Sequence, residues 1–142
     1  MTVTDDQRKR YADYVRLNAY HSKVITSDQE KAILQAAIVE FGIELDEARS
    51  ILMAVVSDED LVLERVQDDR LREFLAQLAG PKGALRREDF EDALFLARRL
   101  YRGTLGDGEI RKRLKRITIR NDWRPRRAGL LRTRRWYDLI EA

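Results

Sequence analysis

The sequence predicts an all-α fold: a compact bundle of about six to seven helices arranged as helix hairpins. Apolar residues recur three and four positions apart over long stretches, which is the spacing of one helix face. Only two prolines occur, Pro81 and Pro125, and five of the seven glycines fall near predicted helix joints. No segment shows the sustained alternation of a half-buried strand, and residues 117–119 come nearest to one.

The first half of the chain is predicted to form three helices, at about residues 4–20, 27–41 and 44–56. The second begins with a capping-box spacing, because Glu30 follows Ser27 by three residues and such a pair satisfies two free backbone N–H groups. Gly42 follows this helix at the position where a left-handed residue is favoured.

The second half is predicted to form three longer helices and a short one. Ser57 and Asp60 indicate the start of the fourth helix, and the polar run at residues 67–70 indicates a break within it. The fifth helix covers about residues 87–101, since its apolar residues are always three or four apart. The sixth covers about 109–121, Pro125 cannot continue it, and a last turn or two fall within 129–140.

Composition limits the class of protein. The 142 residues are 44% hydrophobic and 37% charged, which fits one globular domain of slender helices with wide solvated faces. The chain contains no cysteine, so disulfides, iron–sulfur clusters and Cys-ligated zinc are excluded. The N-terminus lacks the apolar run of a signal peptide, and no apolar stretch approaches the roughly 20 residues that span a bilayer. We therefore predict a cytoplasmic protein.

No arrangement of catalytic residues is evident, and we predict no enzyme, no cofactor and no metal site. His21 is the one histidine, and its place beside a predicted helix end indicates a solvated residue. The glycines Gly106 and Gly108 are interpreted as a tight turn before a helix, although their backbone N–H groups are also of the kind that binds anions. Placing Gly83 or Gly108 at the centre of an EF-hand loop leaves too few oxygen ligands for calcium.

Glycine, apolar and acidic residues join several of the predicted helices, as in FGIELDEA at 41–48 and GDGEI at 106–110. These joints, within about residues 27–114, resemble the TerB-type helical domain of tellurite-resistance and related bacterial stress proteins. The family carries acidic pairs in its first two helices that are implicated in metal binding, and the corresponding face here offers Glu40, Glu44 and Asp46. The basic C-terminal segment is not part of the family pattern.

Positive charge is concentrated at the end of the chain. Residues 111–142 carry twelve of the twenty-eight Lys and Arg but only three acids, whereas the first 110 residues carry sixteen basic and twenty-two acidic residues. We predict a helical domain at 1–122 and a basic arm at 123–142 that docks on it. The arm contains both tryptophans, and Leu130, Leu131, Leu139 and Ile140 are its apolar anchors.

We expect the basic segment to be the partner-binding site of a non-enzymatic interaction or adaptor domain. An acidic or grooved protein is one partner, and a nucleic acid whose phosphates contact residues 111–135 is the alternative. An anionic lipid surface and internal packing on the acidic body are two further interpretations. The predicted binding residues are Arg111, Arg113, Arg116, Arg120, Trp123, Arg124, Arg126, Arg127, Arg132, Arg134, Arg135, Trp136 and Tyr137.

Overall fold

The computed structural model describes residues 2–129 and 131–141. These residues form seven helices and only very short strands, which confirms the predicted all-α bundle. The helices are α1 (Asp5–Asn18), α2 (Ser27–Val39), α3 (Leu45–Asp58), α4 (Glu64–Ala79), α5 (Arg87–Leu100), α6 (Asp107–Arg120) and α7 (Arg135–Asp138). The strands are β1 (Val24–Ile25), β2 (Val62–Leu63), β3 (Ala84–Leu85) and β4 (Arg124–Pro125).

The strands form two parallel pairs that the sequence did not predict. In one pair β1 lies beside β2, with Val24 opposite Val62. In the other β3 lies beside β4, with Leu85 opposite Pro125. Each strand has two residues, too few to show the alternation by which a strand is recognised.

The chain divides into two compact units, Met1–Arg65 and Val66–Ala142. The division falls in the first turn of α4, and the described residues of the basic arm belong to the second unit. Both units contain a strand, two helices and a second strand in the same order. That residues 1–122 form a domain without the arm stays a prediction.

The first unit is built around a buried tyrosine of α1. Tyr11 is fully buried, and its hydroxyl donates a hydrogen bond to the Ile33 carbonyl at 3.1 Å. The ring of Phe41 meets the Tyr11 ring edge-on at 5.4 Å. Burial, together with the neighbouring Tyr14, raises the pKa of Tyr11 to about 12. α1 and α2 therefore meet through a neutral hydroxyl in an apolar setting.

The predicted cap of α2 is wrong by one residue. Thr26 accepts a hydrogen bond from the Gln29 backbone N–H at 3.2 Å, and the Gln29 side chain accepts one from the Thr26 N–H at 2.9 Å. Ser27 is the first helical residue instead. Glu30 is buried, and its two carboxylate oxygens lie 3.1 and 3.0 Å from Arg65 Nε.

The fourth helix also differs from its prediction at both the start and the middle. Ser57 belongs to α3, Asp60 follows that helix with a φ of 53°, and α4 begins only at Glu64. The polar run at 67–70 is helical throughout, so the predicted break is wrong. A polar residue is accommodated within a helix when its side chain forms a hydrogen bond or an ion pair, as that of Asp68 does in the second unit.

The second unit has an apolar core in which α5 packs on α6. Asp89 is 2% exposed and accepts a hydrogen bond from the Arg86 backbone N–H at 2.7 Å, which secures the start of α5. Burial of apolar area drives this packing. Fully buried side chains of the unit include Leu71, Leu75, Leu85, Ala93, Ala97, Tyr101, Ile110 and Leu114.

Candidate functional site

Arg113 of α6, one of the predicted binding residues, lies mostly inside the second unit. Its side chain is 14% exposed and lies 3.5 Å from Asp68 of α4. Its guanidinium carbon is 5.3 Å from the centre of the Tyr101 ring, and the Tyr101 hydroxyl donates to Asp68 Oδ1 at 2.5 Å. A charge that is paired and stacked in this way ties α4, α5 and α6 together.

Lys115 of α6 holds the last helix in place. Its Nζ donates to the carbonyl oxygens of Tyr137 at 3.3 Å and Ile140 at 2.8 Å, and it lies 4.6 Å from the Tyr137 ring centre. Basic groups favour the negative end of a helix, where carbonyls lack intrahelical partners. Lys115 is therefore a structural cation.

Two further cations of α6 form ion pairs at the surface. Arg111 lies 3.7 Å from Glu91, and Lys112 lies 3.5 Å from Glu109 and 3.6 Å from Glu141. The paired acidic side chains are each more than half exposed, and such pairs contribute at most about 1 kcal/mol. The ion pair of Arg111 with Glu91 is therefore weak.

Three aromatic rings attach the basic arm to α5. Phe90 is buried and meets the rings of Trp136 at 5.0 Å and Tyr137 at 5.8 Å, both edge-on. Trp136 Nε1 donates to the Arg126 carbonyl at 2.9 Å. Burial, and then the nearby Asp138, raise the pKa of Tyr137. Edge-on rings at these distances attract one another beyond the area that they bury.

Strand pairing fixes the start of the arm. The backbone N–H of Arg124 donates to the Gly83 carbonyl at 2.8 Å, and that of Arg126 donates to the Leu85 carbonyl at 2.7 Å. Gly83 has a φ of 62°, and a Cβ there would lie 3.4 Å from the Trp123 ring. A side chain at this position is strained, because the left-handed region favours glycine.

Beyond β4, residues on either side of position 130 pair with each other. Ala128 and Thr133 are bridged in antiparallel fashion by hydrogen bonds of 2.8 and 3.1 Å. Gly129 and Arg132 turn the chain with positive φ angles of 82° and 48°. Leu131 lies in the turn and is 86% exposed, whereas the predicted anchor Leu130 lies outside the described residues.

Eight arginines of this region project into solvent, and we call them the arginine surface. Within residues 2–129 and 131–141, their guanidinium groups form no ion pair and no hydrogen bond. Six belong to residues 124–129 and 131–135, whose backbone is held by β3, by the bridge between Ala128 and Thr133 and by Trp136. The eight are Arg116, Arg120, Arg124, Arg126, Arg127, Arg132, Arg134 and Arg135.

The thirteen predicted binding residues thus divide by environment. Arg113 and Tyr137 are buried or nearly so, and the tryptophans are half-buried, with Trp136 packed on Phe90. These residues pack inside the second unit and hold the arginine surface in place, and their side chains do not project into solvent with it. Sequence reasoning had no means to separate the two groups, because the separation depends on contacts between residues far apart in the chain.

A small groove adjoins the arm, and sequence reasoning missed it as a site. Its cavity volume is about 210 Å³. Arg87 of α5, which is not among the predicted binding residues, lies in it. The lining residues are Arg87, Phe90, Glu91, Arg111, Trp136, Leu139 and Ile140.

The other predicted sites have simple surroundings. His21 is exposed, and its ring meets that of Tyr20 edge-on at 5.1 Å. Asp107 lies in the first turn of α6 and pairs with Arg98 at 2.5 Å, and this hydrogen bond lowers the pKa of Asp107. The described residues contain no group of three or more His, Cys, Asp and Glu side chains placed to hold a metal ion. Over the same residues, no helix is both long and apolar enough to cross a bilayer.

In comparisons with known proteins, no family model, curated sequence or solved structure matches the chain. The resemblance to the TerB-type domain therefore stays a prediction.

Proposed function

We propose that the protein is a binding module that recognises an acidic protein partner through its arginine surface. The observation that carries the proposal is that, within the described residues, eight arginines have no internal partner, while the backbone on either side of residue 130 that bears six of them is held by hydrogen bonds. Ordered backbone reduces the entropy lost on binding. Arginine forks pair with carboxylates in bidentate fashion.

Exposed apolar residues in the arm favour a protein over other anionic partners. Leu131 is 86% exposed and Leu139 is 70% exposed, and both lie close in sequence to arginines of the arginine surface. Protein interfaces combine apolar anchors with a charged rim, whereas a phosphate backbone offers no partner for leucine. The half-buried tryptophans also have less ring face available for stacking on unpaired bases, on which single-strand recognition relies.

Nucleic-acid binding is the second candidate, and the charge density favours it. The second unit carries twenty basic and twelve acidic residues, and six arginines of residues 124–129 and 131–135 have no partner among the described residues. Phosphate contacts would come from the arginine surface and from Arg111, whose exposed pair with Glu91 is weak, because Arg113 is engaged with Asp68.

A titration with two defined anions separates the candidates. Fluorescein-labelled poly-glutamate and a labelled DNA duplex are titrated with the full chain at several salt concentrations. We expect binding of poly-glutamate that falls when Arg126, Arg127, Arg132 and Arg134 are changed to Gln. Tighter binding of the duplex, with the steep salt dependence of phosphate contacts, would favour nucleic acid instead. Binding of neither anion would contradict both candidates.

A further inference from the structure

We infer that the groove beside α7 holds an apolar side chain of the acidic partner, while Arg87 and Arg111 pair with carboxylates next to it. The inference rests on the proposed function and adds the kind of segment that is recognised: a short acidic peptide with one large apolar residue. Such a segment combines the two chemistries that the groove offers side by side.

The size of the groove points to a single side chain. Its volume of about 210 Å³ is below the roughly 300 Å³ at which small-molecule pockets begin. Phe90 is 4% exposed and provides an apolar wall with Trp136, whose ring lies 5.0 Å from that of Phe90. An aliphatic or aromatic side chain fits these surroundings.

Leu139 shows that the groove is incompletely covered. It is 70% exposed and lies directly after α7, with Ile140 beside it in the groove lining. An apolar residue of the partner would cover Leu139, and the surfaces of both side chains would be removed from water. This burial is favourable by about 25 cal/mol per Å² of apolar surface.

Charge specifies which apolar segment binds. Arg87 is exposed and forms no ion pair within the described residues. Among the described residues Arg111 forms one ion pair, the 3.7 Å contact with Glu91, in which both side chains are about half exposed. A ligand carboxylate can replace this pair at small cost. The negative charge of Glu91 repels a ligand carboxylate that lies beside it. The carboxylates of the peptide therefore lie toward the two arginines.

The test compares two labelled peptides of aspartates and glutamates that differ only in a central leucine or serine. Because their charges are equal, the arginine surface binds both, and a difference in affinity that depends on Leu139 and Arg87 reports binding in the groove. We expect the full chain to bind the leucine peptide about tenfold more tightly, the affinity that burying such a side chain contributes. Leu139→Ser and Arg87→Gln should each reduce this ratio, and both residues are exposed, so the fold should tolerate the changes.

Each remaining result decides against the inference. Equal affinities for the two peptides, still dependent on Arg126, Arg127, Arg132 and Arg134, would overturn the groove assignment and leave the proposed function standing. Binding of neither peptide would overturn both. Sedimentation showing a dimer that Leu139→Ser dissociates would assign the groove to a second copy. Tight binding to phosphatidylserine vesicles that depends on Leu139 would assign it to a lipid surface.

Discussion

The two units share an order of elements but use their charges differently. The first carries thirteen acidic and eight basic residues, and most of its arginines are paired internally, as Arg16 is with Glu59 at 3.3 Å and Arg65 is with Glu30 at 3.0 Å. The second has an excess of basic residues, and its arginine surface has no internal partner in the part of the chain that the structure describes. Because the same order of strands and helices occurs in both units, the function we propose depends on side chains and not on the fold.

The largest expected effect concerns the attachment of the arm, which has no counterpart in the first unit. Phe90→Ala removes the ring that Trp136 and Tyr137 contact, and it should lower the free energy of unfolding by about 3–5 kcal/mol. Urea unfolding followed by tryptophan fluorescence measures this change. Phe95→Ala on the same helix is the matched control, because Phe95 is 61% exposed and should cost under about 1 kcal/mol. Equal losses would mean that the aromatic contact contributes nothing.

Alkaline pH should next test the buried tyrosine of the first unit. The folded pKa of Tyr11 is about 12 against an ordinary 10.0, so its contribution is complete below pH 10 and is lost as pH rises toward 12. A shift of this size corresponds to roughly 2–3 kcal/mol. Thermal unfolding between pH 9 and 12 should show the loss, and Tyr11→Phe should reduce it. If Tyr11→Phe leaves the pH profile unchanged, another group causes the loss.

The predictions from sequence succeeded where structure is local. Residues three and four apart predicted α5 and α6, and the charge count located the basic end of the chain. They failed where contacts between residues far apart in the sequence determine the structure. The pairing of Leu85 with Pro125 has no local sequence pattern. The polar run around Asp68 has the composition of a helix break, and its contacts with the distant Tyr101 and Arg113 explain why it is helical. The groove and the division of the arginines into internal and exposed groups depend on the same distant contacts.

A smaller effect should distinguish the buried tyrosine hydroxyls of the two units. Tyr101 donates to the Asp68 carboxylate, whereas Tyr11 donates to a neutral backbone carbonyl. Hydrogen bonds to charged groups contribute more, so Tyr101→Phe should cost about 1.5–3 kcal/mol and Tyr11→Phe about 1 kcal/mol. Urea unfolding at pH 7 gives both values. The reverse order would contradict a structural role for the carboxylate.

The central claim, that the positions of these arginines matter and not their charge alone, is tested by two variants of equal net charge. One replaces Arg126, Arg127, Arg132 and Arg134 with Gln. The matched control replaces four exposed arginines outside the arginine surface with Gln: Arg49, Arg70, Arg72 and Arg99.

The decisive measurement is the affinity of each variant for labelled poly-glutamate at fixed salt. Four exposed ion pairs together contribute about 1–4 kcal/mol, so the first variant should bind at least roughly fivefold more weakly than the unaltered chain, while the control stays within about twofold. Equal losses in the two variants would show that net charge alone attracts the probe. That result would contradict a binding site at the arginine surface.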